Sequence, residues 1–204
     1  MRRFISFGVL LLLLGTSVIW WYHHHASAAV TAIASSGGAR LELPAREEIP
    51  HYLQSDPRWG SDAIGGSGES LSAVGCTITS VAMAAEALGY TINPGELNTR
   101  LTEEGGYTSR GWLIWSKVSA ATEGKITVRV PSRLTHAQID QALQNGDIPV
   151  VKFFLLWGVS HWVPILGKSG EAYLIRDPLD TSQKIVPLST KTNTIFSVRY
   201  VRKS

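Results

Sequence analysis

Between Cys76 and Leu88 the apolar residues Ile78, Val81, Ala82, Ala85 and Leu88 recur at three- and four-residue intervals, and Gly89 follows. That spacing predicts a helix over 76–88 stopped by a glycine. Asn93-Pro94 opens a second helix that ends near Gly105, with proline at the first helical position, where its missing N–H costs nothing. Residues 111–122 (GWLIWSKVSAAT) predict a third, with Trp112 and Trp115 on one face as core residues. Thr135 and Gln138 have capping-box spacing for a fourth, closed by Gly146. From Ile126 on, short β-branched and aromatic runs dominate, at Ile126–Val130, Ile148–Leu156, His161–Leu166, Ala172–Arg176 and Ile195–Val201. Helices gathered first and strands later predict an α+β domain, N-terminal helices packed on an antiparallel sheet.

The N-terminus has a different pattern. Met1-Arg2-Arg3 precedes an uncharged run from Phe4 to Trp21. The run exceeds the 7–15 apolar residues usual in a cleaved signal and approaches the ~20 that span a bilayer. Trp20, Trp21 and Tyr22 stand where interfacial aromatics would, while Ala26-Ser27-Ala28 fits a cleavage site. Residues 1–28 are therefore either a signal peptide or a single membrane anchor. Both readings export the chain, with Arg2 and Arg3 on the cytoplasmic side. Residues 29–47, rich in Ala, Ser and Gly, read as a flexible linker. A catalytic domain is expected over 48–204.

Composition narrows the classes. The 204 residues are 44% hydrophobic and 17% charged, a globular balance. Without Arg2 and Arg3 the remainder carries 17 basic and 16 acidic residues, which gives no basis for nucleic-acid binding. His23, His24 and His25 are adjacent imidazoles with no further ligand nearby, so no metal is expected there, and no cofactor signature occurs. A monomer is assumed.

One cysteine occurs in the chain. Exported proteins normally use cysteines in pairs, so a lone one is either a reactive thiol or a small buried hydrophobe. Cys76 opens the predicted first helix, where the positive end of the helix dipole favours thiolate. A thiolate nucleophile needs an imidazole partner. Of six histidines, only His161 is flanked by strand-forming apolar residues and followed by a well-spaced carboxylate. If Gly167–Glu171 is a hairpin turn with a three-residue loop centred on Ser169, positions whose numbers sum to 338 face each other across the two strands. His161 and Asp177 meet that condition. Asp180 is a nearby substitute with a poorer register. Trp157 and Trp162 bracket His161, as cleft walls or as core.

Gln54-Ser55-Asp56-Pro57-Arg58-Trp59-Gly60, Gly75-Cys76-Thr77-Ile78-Thr79-Ser80-Val81-Ala82-Met83, Ser160-His161-Trp162-Val163 and Arg176-Asp177-Pro178 form one ordered set. It resembles the bacterial peptidase family thirty-nine-like domains, papain-like relatives of the bacteriocin-processing, double-glycine leader peptidases. The resemblance covers roughly Ile49 to Ser204. It implies a papain-like cysteine peptidase fold, a peptide or protein substrate, Cys76 as nucleophile, His161 as base, Asp177 as orienting residue and Gln54 as side-chain oxyanion donor. Gln54 precedes Cys76 by 22 residues, farther than in the leader peptidases, so the intervening loop must fold back. No transporter segment accompanies the domain, so leader processing is not carried over. Acyl transfer to an amine or thiol, and a non-catalytic tethered binding module, are the competing readings.

Overall fold

The computed structural model describes residues 32–204. The expected signal or anchor, and His23–His25, lie outside them. Among the described residues no helix is long and apolar enough to cross a membrane.

The elements run β1 (Ile33–Ala34), β2 (Ser36–Leu43), α1 (Leu71–Val74), α2 (Cys76–Ala87), α3 (Pro94–Glu103), α4 (Val118–Ala121), β3 (Ile126–Arg129), α5 (His136–Gln144), β4 (Ile148–Phe154), β5 (Ser160–Ile175), β6 (Val186–Pro187), β7 (Thr194–Ile195) and β8 (Ser197–Lys203). A six-stranded sheet has the order β2-β5-β4-β8-β3, with β6 also paired to β5, and every pairing is antiparallel. β1 and β7 form a separate antiparallel pair. The chain is α+β, as its patterning predicts.

α2 is the central helix. Ten of its twelve residues are buried, and the buried polar ones are only Thr79 and Ser80: a helix largely surrounded by protein has little solvent face to present. Its small residues Ser80, Ala84 and Ala85 let it lie close to the sheet. One core joins α2 to Val150, Trp162, Leu166 and Val201 on one side of the strands. A second joins Ile139 and Ala142 of α5 to Phe153, Ile165, Tyr173 and Tyr200. Each large apolar side chain so buried contributes about 1.5–3 kcal/mol.

Two expectations need correction. Residues 36–43 do not form a flexible tether: they are β2, paired with β5 through Ser36–Ala172 and Leu41–Gly170 to Leu43–Lys168. Gly37 and Gly38 are there because neighbours press on them. A Cβ on Gly37 would lie 2.9 Å from Nε2 of His136, and one on Gly38 2.3 Å from Oδ2 of Asp140. The predicted helix over 111–122 shrinks to a 3-10 turn at Trp115–Lys117 and the short α4. Gly111 has φ of +76°, and a Cβ there would meet Ser67 at 2.8 Å, so the chain is not helical at that point. Trp112 in consequence leaves the core and is 64% exposed.

The expected hairpin is present, but its turn is itself paired. Ser160–Ile175 is a single run of sixteen strand residues. Fully extended it would span about 50 Å, yet the side chains of His161 and Asp177, at its two ends, meet at 2.7 Å. The chain therefore doubles back within the run, where Gly170 adopts φ of +57°. The turn is not a free loop, because Lys168, Ser169 and Gly170 pair with Leu43, Glu42 and Leu41 of β2.

Candidate active site

Cys76 is the first residue of α2 and is 7% exposed. The turn before it, Leu71–Val74, is capped by the Ser70 side chain, and Gly75 joins the two helices. Gly75 has φ of −77°, a conformation open to any residue. What requires glycine is space: a Cβ would stand 2.4 Å from the Leu71 carbonyl oxygen. Ser80, one turn after Cys76, donates from Oγ to the Trp162 carbonyl at 2.8 Å. This buried bond ties α2 to the strand that carries His161.

His161 is 1% exposed, and Phe153 packs edge-on against its ring at 5.3 Å between centroids. Its Nε2 donates to Asp177 Oδ1 at 2.7 Å. The bond leaves the other ring nitrogen, Nδ1, without a carboxylate partner, and the Cys76 thiol is near enough to the imidazole to raise its pKa. Burial alone pulls the His161 pKa down, but the bond to Asp177, the bond to Cys76 and the negative charge on both push it up to about 9. That environment favours the charged form of the ring. Burial works against the charged form of Asp177 too, and is outweighed by the His161 bond and charge, the Leu179 N–H at 2.9 Å and Lys191 at 3.8 Å; its carboxyl stays below the usual range. Asp180 does not substitute for it, since it is held by Lys191 at 2.9 Å and by the Ser182 N–H.

Gln54 joins the same cleft in spite of its distance in sequence. The loop between them folds back on itself: Ser72 N–H donates to Gly60 O, Leu71 N–H to Asp62 O and Ile64 N–H to Glu69 O. Gln54 is 3% exposed, and its Nε2 donates to the Ser72 carbonyl at 2.8 Å. One amide proton remains uncommitted beside a buried Oε1 that has no partner among the described residues. The Gln54 N–H donates to Pro178 O.

Gln54, Cys76, His161 and Trp162 line one cleft of about 680 Å³. Trp162 is 9% exposed and tilted against Trp115 at 5.1 Å, so it is both wall and core. Trp157 is not part of this wall; it is 99% exposed, with φ of +68°. Pattern reading misses His51, whose Nε2 donates to the Asp177 carbonyl at 2.9 Å, and Ser80. Neither carries a local signal, because both act on segments more than 80 residues away. The arrangement supplies a thiol, an imidazole held by a carboxylate and an amide donor around one opening.

No protein-family model matches the chain, and no curated protein matches it. In structure it is similar to the crystal structure of a protein provisionally described as a C39-like peptidase, from Bacillus anthracis. The identity is 17%, over 80% of this chain and 100% of that one, with a TM-score of 0.47.

Proposed function

We propose that the chain is an exported cysteine peptidase that hydrolyses a peptide or amide bond through an acyl-cysteine intermediate. The observation that carries this is the buried His161, held by Asp177 at 2.7 Å and lining one cleft with Cys76 and Gln54. A purely structural cysteine needs no imidazolium beside it, and a purely structural histidine needs no thiol.

The Cys76 thiolate attacks the carbonyl carbon, forming an S–C bond and an oxyanion. The free Gln54 amide proton and backbone N–H groups at the start of α2 are suited to receive that oxyanion. His161 gives its proton to the departing amine, the C–N bond breaks and a thioester remains. The neutral imidazole then takes a proton from water, hydroxide adds to the thioester, and Cys76 leaves as thiolate with His161 recharged. Asp177 holds the ring and stabilises its charged form throughout. The uncharged run Phe4–Trp21 supports action outside the cytoplasm, on a tether or after cleavage.

The test is incubation of the full chain with a mixed peptide pool and product identification by mass. The expected result is cleavage by the wild type that Cys76→Ala abolishes, with water oxygen in the new carboxylate. Cleavage retained by Cys76→Ala overturns the reading. Products carrying an added amine in place of that oxygen assign acyl transfer instead.

A further inference from the structure

The cleft beside Cys76 carries an excess of positive charge that the mechanism above does not use. Among the described residues two cations line it, Arg110 and Lys152, against a single carboxylate, Glu69, and neither cation is in an ion pair. Lys152 is opposite Trp162, directly after His161, in the β4–β5 register. Its Nζ sits on aromatic faces rather than on a carboxylate, 5.4 Å from the Phe154 ring and 6.0 Å from the Trp162 ring. The same Trp162 ring carries a second cation: the Arg199 guanidinium is 5.4 Å from it and 5.3 Å from Trp115. Among the described residues Arg199 bonds only to Ser197 Oγ and the Val198 carbonyl, its buried Nε has no partner there, and burial pulls its pKa down. Arg110 stacks on the exposed Trp112 at 5.5 Å.

Two like charges sharing one indole without a carboxylate repel each other in a partly desolvated place, and an anion arriving there relieves that repulsion. The exposed side chains of Val74, Val159 and Leu179 complete the wall with apolar surface.

We propose that this cleft selects anionic peptides, with a substrate carboxylate received by Lys152 and Arg110 while its apolar neighbours lie along Trp162 and Val159. The inference rests on the cysteine-peptidase reading and names the substrate class of that site. The carboxylate belongs either to an Asp or Glu side chain or to a free C-terminus.

The test needs no known substrate. Cys76 is alkylated in the full-length wild type at low salt by iodoacetate and by neutral iodoacetamide, and the ratio of the two rates is taken. The ratio is expected to fall about threefold to tenfold in an R110Q/K152Q double variant, the scale of partly screened charge pairs, and to persist in K152R. Near-UV circular dichroism of the tryptophans verifies that each variant is folded. In the wild type alone, acetyl-glutamate amide and acetyl-alanine free acid are compared with acetyl-alanine amide as protectants against iodoacetamide. Protection by the first assigns the side-chain source and protection by the second the terminal one. An unchanged ratio in the folded double variant, or equal protection by all three compounds, overturns the proposal while leaving the thiol reading intact. If neither reagent reacts faster than with free cysteine, the thiol reading itself fails and this one with it.

Discussion

His161 Nε2 and Asp177 Oδ1 are 2.7 Å apart at a place where both side chains are almost completely buried. Sixteen residues separate them, and the reversal at Gly170 closes the gap. The contact leaves Nδ1 without a carboxylate partner and favours the charged form of the ring.

That charge state gives a pH prediction for activity. The thiolate needs its imidazolium, and the His161 pKa is pushed up to about 9. Hydrolysis, which needs the imidazolium to protonate the leaving amine, is expected to fall on the alkaline side with a midpoint near pH 9. In Asp177→Asn the carboxylate charge is lost, and the midpoint moves down toward the ordinary imidazole value of about 6.5. A pH–rate profile of both proteins checks this; coincident alkaline limbs contradict it.

Stability follows the same linkage with a definite sign. His161 titrates higher in the folded protein than in the unfolded chain. Its contribution is therefore full below about pH 6.5 and is lost as pH rises through 9. The shift from 6.5 to about 9 corresponds to about 3 kcal/mol. Asp177 acts oppositely: its depressed pKa stabilises above the ordinary carboxylate value and is lost as pH falls through the folded value. Urea unfolding of the wild type at pH 6, 8 and 10 should show declining stability. His161→Gln should flatten the decline.

Gly75 makes a steric prediction. A Cβ 2.4 Å from the Leu71 carbonyl oxygen forces α1 and α2 apart. Gly75→Ala is expected to cost about 1–3 kcal/mol, as overpacking does, and to slow alkylation of Cys76 even where the variant stays folded. Denaturation curves and labelling rates measure the two effects separately.

The N-terminal strand is secured by charge. Lys168 Nζ, with its side chain 0% exposed, contacts Asp140 Oδ1 at 2.5 Å and the carbonyls of Gly37 and Ala39 at 2.9 and 2.7 Å. Lys168→Ala leaves a buried carboxylate unpaired, and should cost about 3–5 kcal/mol. A Lys168→Met/Asp140→Leu pair should recover most of that. Limited proteolysis within 36–43 should accelerate in the single variant and much less in the double one.

These residues also show how much the sequence discloses. The 3.6-residue period exposes α2 and α3, with Asn93 capping at Glu96 N, because those signals are local. The pairing of His161 with Asp177 is legible because a hairpin converts spacing into contact. β2 is not legible: Ser36-Gly37-Gly38 has linker composition, and the reason for its glycines is the His136 and Asp140 side chains about a hundred residues later. Helix propensity over 111–122 is overridden by the left-handed Gly111 and its contact with Ser67. The way Gln54 reaches the cleft depends on a ladder of loop hydrogen bonds that no period encodes.

The proposed function turns on His161 activating Cys76 as a nucleophile. The most direct measurement is the second-order rate of Cys76 alkylation by iodoacetamide at pH 7, in the wild type and in His161→Gln, against free cysteine. The expected result is a wild-type rate at least about tenfold above free cysteine, since free thiol of pKa about 8.5 is only a few per cent thiolate at that pH, and collapse of that advantage in His161→Gln. A wild-type rate no higher than free cysteine, or one that His161→Gln leaves unchanged, contradicts it.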